Sequence, residues 1–131
     1  MSTVMVPANM DEALEMLASA VGFLAETEAA ELPVEVLAEG LRAMEQADAA
    51  EAAARGRFLA AFDAQDGSVA DGQRTAWTWL VHVTRVTRSQ AGEHKAVQAL
   101  ARGHRVLLAA LAEGYVISKS VALQLAKWNR A

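Results

Sequence analysis

The sequence predicts an all-α protein, a long antiparallel helical hairpin followed by a bundle of three or four short helices. Three observations carry this prediction. Ala and Leu dominate while β-branched residues are sparse, the strong helix breakers gather at a few points, and apolar residues recur at spacings of three and four. With 131 residues and 53% apolar content, the chain has the length of one domain and is too apolar for intrinsic disorder. Residues 1–131 therefore read as a single helical domain, with an acidic hairpin over 1–63 and a basic short-helix bundle over 73–131.

Asn9 is placed to cap the first helix, with Asp11 and Glu12 in the first turn, where acids oppose the positive end of the helix dipole. Met10, Leu14, Leu17, Val21 and Leu24 follow at spacings of 4, 3, 4 and 3, a seam expected to run to about Ala30. Pro33 suits the first turn of a second helix, because its missing N–H would have no partner there. Val34, Leu37, Leu41 and Met44 continue the periodicity, and a tight turn at Leu32–Pro33 makes the pair a hairpin. The seam then meets Asp48, Glu51 and Arg55 before Phe58 and Phe62 restore it. Ala43, Ala47, Ala50 and Ala54 form a small-residue stripe beside it, where another helix is expected to cross. Glu51 and Arg55 stand at i and i+4, in the favourable orientation for an exposed ion pair.

Asp63–Gly72 holds two Asp-Gly dipeptides and is expected to be a loop. Arg74 to about Thr84 carries Trp77, Leu80, Val81 and Thr84 at helical spacing. Thr87 or Ser89 caps a helix reaching Ala101, with Val97, Leu100 and Ala101 inward, and Gly103 breaks it. His104–Glu113 is a short helix with Val106, Leu107, Ala110 and Leu111 apolar, ended by Gly114. Ser118 caps a last helix whose Val121, Ala122, Leu125 and Trp128 are expected to face inward.

The charges are segregated. Residues 1–54 hold eleven acids and one base, a net −10, and residues 55–131 hold eleven bases and five acids, a net +6. Such asymmetry points to a polyanion-binding half beside an acidic one. The absence of Cys excludes disulfides and thiolate metal sites and fits a reducing compartment. The N-terminal residues show no basic-then-apolar signal pattern, and no apolar run approaches the roughly 18 residues of a membrane span, so a cytoplasmic location without membrane contact is expected.

The sequence shows no glycine-rich phosphate loop, no GxSxG elbow and no HExxH. His82, His94 and His104 are 12 and 10 residues apart, so no two share a helical face. Neither a metal, a cofactor nor enzymatic activity is expected of this chain.

Two segments fit a helix–turn–helix pattern. Around Ile117, the residues Ala112, Ile117, Ser118, Ala122 and Leu125 suit it, with Gly114 as the break and Val116 where the motif has glycine. The second helix would present Lys119, Ser120, Gln124, Lys127 and Arg130 outward. Around Val86 the fit is poorer, with Arg85 at the glycine position and His94 at an apolar one, yet Arg85, Arg88, Lys95 and Arg102 make the segment basic.

Residues 47–67 (ADAAEAAARGRFLAAFDAQDG), 71–103 (DGQRTAWTWLVHVTRVTRSQAGEHKAVQALARG) and 107–128 (LLAALAEGYVISKSVALQLAKW) together resemble the actinobacterial domain of unknown function 222. Trp79 and Leu80 would be that family's "WL" pair, and Gly114, Ile117 and Ser118 its "G.IS" step. Trp77 before the pair, His94 and Lys95 where arginines are expected, and the extra residue in Tyr115-Val116 depart from it. The resemblance implies an N-terminal module that precedes an HNH nuclease module, whose His cluster this chain lacks. The functional expectation is therefore a non-catalytic module that binds or positions DNA through its basic half. Arg85, Arg88, Lys95, Arg102, Lys119, Gln124, Lys127 and Arg130 are the candidate DNA contacts. The alternative is a helical oligomerisation or protein-interaction module, in which the N-terminal helices pair with a second copy and DNA is not bound.

Overall fold

In the computed structural model, residues 5–114 and 117–130 are described. Val116, at the expected turn position, and the side chain of Arg130 lie outside the described residues. About 80% of the chain is helical and the described residues contain no strand, so the class is all-α. The helices are α1 (Met10–Glu26), α2 (Val34–Ala64), α3 (Gly67–Ala70), α4 (Ala76–Val83), α5 (Arg88–Gly103), α6 (Arg105–Glu113) and α7 (Lys119–Arg130), with a 3-10 turn at Ala29–Glu31. The chain divides into two units, Met1–Ala38 and Glu39–Ala131, and the division falls inside α2.

In the first unit, the Asn9 side chain accepts the Glu12 N–H at 2.9 Å and caps α1 as expected. The helix stops at Glu26, short of Ala30, because Thr27 turns to extended backbone while its hydroxyl donates to the Phe23 carbonyl at 2.7 Å. The Pro33 carbonyl accepts the N–H groups of Val36 and Leu37, which starts α2 where the proline predicts. No residue of α1 is buried: Met10, Leu14, Leu17, Val21 and Leu24 keep 48–54% exposure.

The second unit has an alanine-rich core. Ala49, Ala52 and Ala53 of α2 meet Ala96, Val97 and Leu100 of α5, Leu108 and Leu111 of α6, and Ala122 and Ala126 of α7. The small-residue crossing thus exists one position away from the expected stripe. Ala43, Ala47 and Ala54 are exposed, and the buried line is Ala49, Ala52, Ala53 and Gly56. Gly56 sits so close to α5 that a Cβ there would lie 2.7 Å from a Val97 methyl and 2.9 Å from its carbonyl oxygen. A second cluster joins Leu59 to Ala76, Leu80 and Ala91, flanked by Phe62, Trp77, Trp79, Val81 and Val86.

Several expectations are corrected. Asp63–Gly72 is not all loop: α2 runs on to Ala64, Asp66 turns the chain in a left-handed conformation (φ 54°), and α3 adds one turn. Val121 (47%) and Trp128 (65%), expected to face inward, are exposed, because α7 meets the core through the narrow stripe of Ala122 and Ala126. Thr87, not Ser89, caps α5, accepting the Gln90 N–H. The chain leaves α6 at Gly114 (φ 80°), where a Cβ would stand 2.6 Å from the Gln46 carbonyl oxygen, so glycine is required for both reasons. Ser118 caps α7, as expected, by accepting the Val121 N–H.

Candidate nucleic-acid interface

Arg88, Lys95 and Arg102 are seven residues apart on α5. Seven residues is almost two helical turns, so the three cations form one row, drifting about 20° per step and rising about 10.5 Å each time. The sides away from this row are fixed by the core, which holds Ala91, Ala96, Val97, Gln98 and Leu100. Between the cations the same exposed face carries Gly92, Ala99 and Gly103. No neighbouring atom stands within 4 Å of where a Cβ would be at either glycine. The face is therefore smooth as well as basic, so a flat or convex polyanion can approach the helix backbone.

Each cation has a different setting. The Arg88 guanidinium lies 5.7 Å from the centre of the Trp77 ring on α4, a cation–π contact that orders the side chain and leaves its N–H groups available. Arg102 donates to the Asp63 carboxylate at 2.8 Å, and the Gln98 amide donates to the same oxygen at 3.2 Å. Asp63 lies near the end of α2, and the Arg102 hydrogen bond holds its carboxyl below the usual carboxylate range. Burial opposes this, and Gln98 and the charge of Lys95 assist it. Gln98 is 1% exposed, and its Oε1 has no partner among the described residues.

The other candidates are less united. Lys119 is already paired with Asp48 on α2 at 3.2 Å. Gln124 and Lys127 are exposed, but their positions on α7 are five and eight residues from Lys119, which fans the three round the helix instead of aligning them. Arg85 stands exposed in the turn between α4 and α5 with φ 64°. That left-handed conformation is the one glycine supplies in a helix–turn–helix turn, and arginine adopts it here at a cost of about 1 kcal/mol. Arg85, at the glycine position of the segment with the poorer sequence fit, thus has the positive φ that a glycine would supply there.

His82 is exposed, His104 caps α6 through its backbone, and His94 is half-buried on α5. Burial first, then the Arg55 guanidinium, holds the His94 imidazole below its ordinary value of 6.5; Lys119 acts the same way, and Glu93 and Glu51 oppose it. Among the described residues no three His, Asp or Glu side chains are grouped to hold a metal ion, and no helix is long and apolar enough to cross a membrane.

The i, i+7 spacing of the cations was available in the sequence. Asp63 as their counter-ion was not, since 39 residues separate it from Arg102. Compared with protein-family models, curated proteins and solved structures, the chain matches none.

Proposed function

We propose that this chain is a non-catalytic module that grips DNA phosphates with the exposed face of α5. The observation that carries this reading is the row Arg88–Lys95–Arg102, set about 21 Å long on a face otherwise lined by Gly92, Ala99 and Gly103. A duplex rises 3.4 Å per base pair, so such a row spans roughly six of them. Arg85 extends the row at its N-terminal end, and the left-handed turn it occupies supports a helix–turn–helix placement of α4 and α5. Phosphate contact comes before base reading here, because the face offers cations and backbone but few of the amide side chains that read base edges. If the resemblance to domain 222 holds, the module positions a target for nuclease chemistry carried on other residues.

The test is fluorescence anisotropy with a labelled random duplex across a salt series. Three or four phosphates engaged should give a slope of log affinity on log salt between about −2.7 and −3.6. Changing Arg88 and Lys95 together to Glu should abolish binding, while Lys127→Glu should weaken it only slightly. Absence of binding at low salt, or a slope near zero, refutes the reading.

A further inference from the structure

The second unit carries an open groove of about 860 Å³ formed by the last third of α2, by α4 and by the start of α5. Phe58, Phe62, Trp79 and Leu80 supply its apolar surface, and Phe58 is 58% exposed. Its charged or titratable lining is Arg55, Arg57 and His94. Arg55 is ion-paired with Glu51, as its i, i+4 spacing predicts, which leaves Arg57 as the rim cation without a carboxylate partner among the described residues.

α1 has the opposite character. Within the first unit its seam of five large apolar residues is half exposed. Residues 1–38 contain seven acids and no base. Asp11, Glu12 and Glu15 gather at the N-terminal end of α1. Lengths match too. Leu14 to Leu24 spans ten helical steps, about 15 Å, and Arg55 to Ala64, where α2 ends, spans nine, about 13.5 Å. Pairing two α1 seams with one another is disfavoured, because each would bring only negative charge to the other. An apolar groove with a basic rim, facing an apolar helix with acidic flanks, meets no such penalty.

We propose that α1 of a second copy lies in this groove, seam inward, with its acidic N-terminal end towards Arg57. Reciprocal exchange of the two α1 helices closes the assembly as a twofold dimer. The proposal is independent of the nucleic-acid reading, since Gln90 and His94 are the α5 residues that line the groove and the cation row is not part of it.

The experiment is solution mass of the full chain by light scattering over a concentration series, with Phe58→Glu and Leu17→Glu as variants. Both positions are about half exposed, and circular dichroism checks that the variants stay helical. The wild type should show twice the 13.9 kDa chain mass. Each variant should dissociate at about thirtyfold or higher concentration, since each places a charge at the centre of the contact. An equimolar mixture of the two variants retains one intact α1 and one intact groove and should regain the two-chain species. A one-chain mass for the wild type overturns the proposal, as does a Phe58→Glu protein that dimerises like the wild type. So does laurate that perturbs the tryptophan fluorescence of a wild type remaining monomeric, which would make the groove a site for a small amphipathic anion.

Discussion

Removing the Asp63 carboxylate tests whether the polar triangle of Asp63, Gln98 and Arg102 holds the second unit together. Asp63→Ala deletes two interactions at once. The ion pair to Arg102 is partly solvated, with side-chain exposures of 54% and 30%, so its loss costs at most about 1 kcal/mol. Gln98 decides the larger part. Its side chain is 1% exposed, its Oε1 is already without a partner, and its Nε2 has Asp63 alone. Stripping that last partner leaves a whole amide buried and unsatisfied, a penalty of about 1–3 kcal/mol. The expected total for Asp63→Ala is about 2 kcal/mol. Asp63→Asn keeps an acceptor for Gln98 and should cost well under half as much. Adding Gln98→Met to Asp63→Ala removes the orphaned amide at nearly constant volume and should recover most of the loss. Urea unfolding followed by tryptophan fluorescence is the assay, because Trp77, Trp79 and Trp128 all lie in the unit that contains Asp63. Two results would refute the reasoning: an Asn variant as damaged as the Ala one, or a double variant no more stable than Asp63→Ala.

Two further outcomes follow from the same packing. Gly56→Ala should destabilise the second unit by about 1–2 kcal/mol in the same urea assay, because the new methyl meets the Val97 backbone and outweighs the gain in helix propensity. Stability should fall as pH drops below 6.5: the unfolded His94 protonates first while burial and Arg55 keep the folded imidazole neutral, so the unfolded state binds more protons there. His94→Gln should flatten that part of the pH–stability profile and leave unchanged the more acidic part, where the lowered Asp63 carboxyl contributes.

Helix periodicity, caps and breakers are local, and they placed the helices well. Asn9, Thr87, Ser118 and Gly114 each act within four residues of their own position, so their neighbours in the chain suffice to predict them. Burial was harder to read. On α2 almost every position from Ala43 to Ala54 is alanine, glutamate or another short or polar residue, and periodicity cannot choose among equal stripes. The choice fell to Gly56, whose missing side chain lets α5 cross where Ala49, Ala52 and Ala53 are inward. The same limit applies to the candidate interface. The cation row was implicit in the seven-residue spacing of Arg88, Lys95 and Arg102. The tethering of Arg102 and Lys119 to Asp63 and Asp48 depends on long-range packing that no local pattern encodes.

The distribution of apolar size is the reverse of what burial of the largest side chains would give. Alanine supplies most of the buried apolar residues among those described, while Leu14, Leu17, Phe23, Leu41, Phe58 and Trp128 stand about half exposed or more. A chain selected only to fold alone gains most by burying its largest side chains, since each contributes about 1.5–3 kcal/mol. Here close helix crossings through alanine and glycine build the core of the second unit, and exposed large side chains remain on α1 and around the α2–α4 groove, as well as at Leu41 and Trp128. Scattered exposed leucines need no explanation. A seam at 4, 3, 4, 3 spacing on an acid-only helix and an aromatic groove rimmed by arginine are not scattered, and their charges are opposite in sign. On the proposed pairing, the acid-only helix and the arginine-rimmed groove would each supply the charge complement of the other's apolar surface.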